Sequence, residues 1–143
     1  LGYKSQYLNF IYGNQTGEST AATFQVDYTG GTDLSDSFFL GINATYNDTD
    51  GSGFYGAALY PQYTVSETLG FGLRGEYFGF HQEDVDDNTV FAATLSANYT
   101  IDDLTIIPEI RLDSWSEEFY FDNDLDPSKS LASFLIAAVY KFN

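Results

Sequence analysis

Apolar and polar residues alternate along most of this chain, and turn-forming residues divide the alternation into eight segments, at about 3–12, 20–29, 38–46, 54–64, 69–80, 90–100, 104–112 and 131–142. No helical period of comparable length competes with them. A period of two sends successive side chains to opposite faces of a strand. One set of faces reads Ala22-Phe24-Val26-Tyr28, Tyr55-Ala57-Leu59-Pro61-Tyr63 and Phe91-Ala93-Leu95-Ala97-Tyr99. The opposite set reads Thr23-Gln25-Asp27, Gly56-Ala58-Tyr60-Gln62-Thr64 and Thr94-Ser96-Asn98-Thr100. One face is apolar and the other carries small, hydroxyl and amide groups. The pattern predicts an all-β, antiparallel up-and-down barrel of about eight strands. Each segment is close to the roughly 9–11 residues that a tilted strand needs to cross a bilayer.

The spacers alternate in kind. Those after the second, fourth and sixth segments are compact: Gly30 to Asp36, Val65 to Thr68, and Ile101 to Asp103. Those after the third, fifth and seventh are longer or more charged: Asn47 to Gly53, His81 to Asn88, and Asp113 to Ser130. Tight turns at one end and extended loops at the other are the asymmetry of outer-membrane barrels. Tyr28-Thr29, Tyr63-Thr64 and Tyr99-Thr100 each close a segment before a compact turn. Tyr28, Tyr63 and Tyr99, with Tyr140 and Phe142 of the last segment, are therefore expected to form an aromatic girdle on the short-turn side. Tyr46, Tyr77 and Trp115 are expected at the other rim.

The last segment is the most apolar. Phe134, Ile136, Ala138, Tyr140 and Phe142 share one face and end in an aromatic residue. Its other face, Leu131, Ser133, Leu135, Ala137 and Val139, is much less polar than the corresponding faces elsewhere. The strand thus either packs against a filled interior or lies beside something this sequence does not contain.

Alternation alone fits two opposite arrangements. A soluble barrel would turn its apolar face inward to an apolar ligand; a transmembrane barrel would turn the same face to lipid. Charge distribution favours the second, because the outer face of so acidic a soluble barrel should carry many charges, and here they collect in the connections.

Composition narrows the function classes. The 143 residues carry 21 Asp and Glu against five Lys and Arg, a formal charge of −16. That balance argues against binding nucleic acid through phosphates. Cys and Met are absent, so no disulfide or thiolate site exists. The chain opens on Leu1, as expected of a mature form or a piece of something longer, and its length suits one domain over 1–143. No apolar run is long enough for a transmembrane helix. Thirteen carboxylates fall in the expected external loops: Glu18, Asp48, Asp50, Glu83, Asp84, Asp86, Asp87, Asp113, Glu117, Glu118, Asp122, Asp124 and Asp126. Such a rim would concentrate cations, or merely stay solvated.

Within the strands the charged cluster is Arg74, Glu76, Glu109 and Arg111, all on the polar face. It reads either as an ion-pair lattice plugging a narrow barrel or as a selectivity ring in an open pore. Asp48 to Gly53 begins like a calcium loop, but its twelfth position is Leu59 where a bidentate Glu is needed. Asp122, Asp124 and Asp126 repeat the oxygen spacing and then meet Pro127, leaving at most a weak divalent site. His81 is the only His, so no Ser–His–Asp set or multi-His metal site can be assembled, and neither an enzyme nor a cofactor is expected. Pro108 inside a strand predicts a bulge or a local break.

Leu69-Gly70-Phe71-Gly72-Leu73-Arg74-Gly75-Glu76-Tyr77-Phe78, Leu104-Thr105-Ile106-Ile107-Pro108-Glu109-Ile110-Arg111-Leu112-Asp113 and the closing Phe134 to Phe142 resemble the C-terminal part of the OmpL-like β-barrel porin family of Gram-negative outer membranes. The likeness runs from about Gly56 to Phe142. It implies a porin-like passive channel in outer-membrane lipid, or a structural membrane barrel. It also implies that the last strand is read by the barrel-assembly machinery, with Asn143 after Phe142 as a departure from a terminal aromatic. Members are longer, which implies that this chain is a C-terminal piece or closes alone as eight strands. An eight-stranded barrel has an interior just filled by side chains.

Overall fold

A computed structural model describes residues 2–3, 5–14 and 21–142; Glu18 lies outside them. The strands are β1 (Gly2–Tyr3), β2 (Gln6–Gly13), β3 (Thr23–Ser35), β4 (Phe38–Thr49), β5 (Ser52–Thr64), β6 (Leu69–Gln82), β7 (Val85–Ile101), β8 (Leu104–Trp115), β9 (Tyr120–Phe121), β10 (Pro127–Ser128) and β11 (Ser130–Tyr140). One antiparallel sheet runs β1-β2-β3-β4-β5-β6-β7-β8-β11, and β9 pairs with β10 within the connection before β11. The eight predicted segments become the eight long strands in up-and-down order. The first is shortened by a break after β1, where Ser5 adopts a φ of 62°. The sheet is open, with β2 and the short β1 at one edge and β11 at the other.

Two of the three spacers expected to be long are not. Thr49 faces Ser52, so Asp50-Gly51 alone joins β4 to β5. Both residues have positive φ, 54° and 79°, the backbone that matches the twist of a two-residue hairpin. Gln82 faces Val85 across Glu83-Asp84 after a register shift. Asp48, Asp86, Asp87 and Asp113 therefore sit on strands rather than in loops. Polar strand ends read as loop in sequence because their alternation is no longer between apolar and polar. Pro108 breaks the ladder to β7, but Ser96 faces Glu109 and Tyr99 faces Ile106 in one unchanged register, so no bulge forms there.

Directly opposed residues Leu8, Tyr28, Ala44, Ala57, Tyr77, Phe91, Ser114 and Ser130 make one row across all eight long strands. β2 continues only from Leu8 to Gln6 below this row, whereas β11 continues from Ser130 to Tyr140. The strand ends thus stagger by about eight residues, roughly 27 Å along the strands, over seven gaps of about 4.8 Å. The strands lean by about 40°, the tilt that transmembrane barrels require.

Register also decides which face is which. Leu73, Leu95, Ile110 and Phe134 form a continuous outer row, and Leu95, Ile110 and Phe134 are 53%, 53% and 65% exposed. The opposite face is the sheltered one: Ala92, Thr94 and Asp113 are 1%, 7% and 8% exposed. Among the described residues no large side chain is fully buried. Apolar residues cover most of the outer face, and the concave side is mainly polar, with apolar exceptions that include Phe54, Phe78, Phe80 and Val90 toward its loop end and Leu135 and Val139 on β11, largely the reverse of a soluble barrel around an apolar ligand. Hence Leu95→Arg is expected to destabilise the protein folded in lipid vesicles by ~2–4 kcal/mol, as for a cation at bilayer depth. Urea unfolding followed by tryptophan fluorescence checks this, and an unchanged midpoint would mean that Leu95 does not face lipid.

Candidate functional site

The concave face of β6, β7 and β8 carries the charge cluster, placed by strand register. Glu76, Ala92 and Asp113 form one row across the three strands, and Arg74, Thr94 and Arg111 form the next. The small side chains of Ala92 and Thr94 on β7 let the long ones of β6 and β8 meet above them. The Arg111 guanidinium donates from Nε to both Asp113 oxygens, at 3.0 and 3.2 Å, and from Nη1 to Thr94 Oγ1 at 3.5 Å. It also pairs with Glu76, which in turn pairs with Arg74. Arg74 lies over the Tyr60 ring, 5.4 Å from its centroid, a cation–π arrangement.

Three of the four sequence candidates, Arg74, Glu76 and Arg111, are therefore directly linked. Glu109 lies two residues along β8, opposite Ser96 and Leu135, and no ion pair reaches it among the described residues. Asp113 is the member that sequence reasoning missed. The sequence pattern counts it among the loop carboxylates, whereas its spacing of two from Arg111 puts it on the same face of β8. Glu109, Arg111, Arg74, Tyr60, Gln62, Ser96 and Asn98 line a cavity of about 390 Å³. Gly72 keeps it open, since a Cβ there would come within 2.9 Å of Ser96 Oγ.

Farther along the sheet the polar face carries Asp33 near the short-turn end and, deeper in, Asp27. This carboxylate accepts from Gln25 Nε2 at 2.9 Å and from Thr45 Oγ1 at 2.5 Å, while Asn47 Nδ2 donates to Gln25 Oε1 at 3.0 Å. The side chains bond along and across β3 and β4, so the concave wall there is a polar network.

The expected rim residues are spread along the outer face. Tyr63 and Tyr99 lie one and two residues from the short-turn ends of β5 and β7, and Tyr140 ends β11 with its ring 5.0 Å from that of Phe142. Tyr28 lies seven residues inside the end of β3, because β3 continues to Ser35. Its hydroxyl reaches toward the short-turn side, where it meets Gln6. Phe134, Ile136, Ala138 and Tyr140 share the outer face of the free-edge strand β11. At the loop end, Tyr46 stacks on His81 at 5.5 Å and Tyr55 lies against His81 and Tyr77, both at 6.2 Å. His81 is thus part of β6, not a loop residue. Trp115 falls on the concave face by its spacing from Arg111 and Asp113, and it stacks on Phe119 at 4.4 Å.

The three weak metal candidates do not converge. Asp122 Oδ1 accepts the backbone N–H groups of Asp124 and Asp126, both at 2.9 Å, and so closes its own loop. Among the described residues no three acidic or His side chains are grouped to hold a metal.

A leaning antiparallel sheet with an apolar exterior and a charged, largely polar interior defines a wall of a transmembrane β-barrel. Comparison agrees: residues 3–142 match the family described as "Putative beta-barrel porin-2, OmpL-like". The chain belongs to this family of outer-membrane β-barrel porins. No curated protein and no solved structure matches it significantly.

The cluster makes unequal demands on its members. Arg111→Ala strips the sheltered Asp113 and Glu76 of their shared cation and is expected to cost about 3 kcal/mol. Arg74→Ala, at a side chain 44% exposed, is expected to cost under about 1 kcal/mol. Chemical unfolding of both variants in the same detergent checks the ranking, and equal losses would contradict it.

Proposed function

We propose that the chain forms the wall of a passive, cation-favouring channel in the outer membrane of a Gram-negative bacterium. The observation that carries this reading is the polar concave face, where an open cavity lies beside ionised groups. Between the two ends of the sheet this face bears Asp27, Glu76, Glu109 and Asp113 against Arg74 and Arg111, an excess of carboxylates. Uncompensated carboxylates lining water lower the energy of a passing cation and raise that of an anion. The acidic connections act in the same direction. Asp50, Glu83 and Asp84 occupy the two hairpin turns, and Glu117, Glu118, Asp122, Asp124 and Asp126 lie between β8 and β11. Their field extends about a Debye length and weakens with salt.

The outer face supports membrane placement. In this reading Tyr28, Tyr63, Tyr99, Tyr140 and Phe142 form one interfacial girdle, and Tyr46, Tyr55 and Tyr77 the other. Phe134, Ile136, Ala138, Tyr140 and Phe142 present the ordered outer-facing row that the barrel-assembly machinery would engage during insertion. A structural barrel is the second reading. It is favoured by the linked Arg74–Glu76–Arg111–Asp113 network, which ties β6 to β8 across β7.

Planar-bilayer recording separates the two. Reconstituted protein is expected to pass current with a potassium-over-chloride reversal potential that shrinks as salt rises. A bilayer that stays silent at several hundred millivolts would reject the channel and leave the structural barrel.

A further inference from the structure

Among the described residues, the cavity between β6, β7 and β8 holds one charged group without an ion-pair partner. Arg111 is occupied by Glu76, Asp113 and Thr94. Arg74 has Glu76 at its tip and Tyr60 beneath it. Glu109 lines the same cavity and has neither a cation nor a hydrogen-bond donor among the described residues. Its cross-strand neighbours are Ser96 and Leu135, and neither carries charge. Two guanidiniums thus meet three carboxylates, Glu76, Asp113 and Glu109, which leaves one negative charge facing water in a polar recess.

We propose that Glu109 is the anchoring group of a binding site for small amine-bearing cations, a reading that rests on this face being the aqueous interior of the barrel. An alkylammonium brings three N–H donors. The Glu109 carboxylate takes the ionic one, and the Ser96 hydroxyl and Asn98 amide oxygens offer neutral acceptors in the same cavity. Ser96 spends its own proton on the Gly72 carbonyl, at 3.4 Å, which leaves its lone pairs free to accept. A divalent metal suits the recess poorly, because calcium seeks six to eight oxygens, usually from several carboxylates, and magnesium a tight octahedron. A small organic cation suits it better, since about 390 Å³ is the size of a small-molecule site rather than of a bare ion. Anions gain little, because both guanidiniums are already paired. The acidic rim assists by raising the local concentration of cations.

The test is calorimetric titration of the detergent-folded protein with 1,5-diaminopentane at low ionic strength. Three proteins are compared: the unaltered chain, the isosteric Glu109→Gln variant, and Asp86→Asn as a control on the acidic strand end. Binding is expected to weaken at least about 10-fold in Glu109→Gln and by no more than about twofold in Asp86→Asn. Equal affinity in Glu109→Gln and the unaltered chain, an equal loss in both variants, or no binding by the unaltered chain would overturn the site. Bilayer recording of the same proteins judges the underlying reading separately. Current with Glu109-independent amine binding sinks the site alone, and Glu109-dependent binding without current sinks conduction alone.

Discussion

Inside a bilayer no water is present to satisfy a peptide N–H or C=O, so each backbone group at that depth must find its partner in the protein. This constraint accounts for most of the architecture. It demands continuous ladders, and β3 to β8 supply strands of 12 to 17 residues in nearly unbroken register. It confines proline to places where a missing donor is tolerated. Pro61 and Pro108 both interrupt a ladder without shifting it, since Leu59 faces Gly75 and Gln62 faces Gly72 on either side of the first, as Ser96 and Tyr99 do around the second. With the backbone satisfied by neighbours, the side chains sort largely by solvent. Most aliphatic and aromatic groups of the span go out to lipid, and the charged groups Arg74, Glu76, Glu109, Arg111 and Asp113 go in.

The interior then faces the opposite difficulty, because charges in a narrow polar space must be matched or hydrated. Here matching is achieved by alternating long and short side chains across three strands. Ala92 and Thr94 of β7 are too small to separate Glu76 and Arg74 from Asp113 and Arg111. A large residue at position 92 would divide the network into two strand-local pairs, Arg74 with Glu76 on β6 and Arg111 with Asp113 on β8, and remove the link that joins the strands across β7. One step further along the same face, Gly72 and Ser96 replace bulk with space, and the cavity begins there. Adjacent rows of one surface thus differ sharply, one filled with ion pairs and the other left open beside Glu109.

Strand number, order and the identity of each face were legible from sequence, because alternation between Phe, Leu or Ile and Thr, Ser or Asn is strong from Phe38 to Thr100. Strand ends were not. Beyond the hydrocarbon both faces are polar, so Asn47-Asp48-Thr49 and Val85-Asp86-Asp87 read as loop although they pair as strand. The same blindness removed Asp113 from the charge cluster and His81 from the Tyr46–Tyr55 stack. The clue to both was parity: continuing the count of two from Arg111 and from Tyr77 past the last apolar residue reaches them. Trp115 shows the limit of composition, since an indole near a rim suggests lipid contact while its parity puts it inside.

The lean of the strands ties these features to membrane thickness. On β7 the outer face is apolar from Phe91 to Tyr99, nine residues whose ends lie about 27 Å apart along the strand. Tilted by about 40°, that run rises only about 21 Å, close to the roughly 25 Å apolar band of outer-membrane barrels once interfacial rings are added at its ends. Val85 to Thr89 then stand above the band in water, where Tyr55 Oη can donate to Asp87 at 2.7 Å and an exposed carboxylate costs nothing. A steeper strand would lift Asp87 farther into water but leave Leu95 and its neighbours spanning too tall a slab. A flatter one would draw the acidic strand ends down into hydrocarbon. The register that sets the tilt therefore also sets which carboxylates remain in water above the membrane and which, like Asp113, must find an arginine inside.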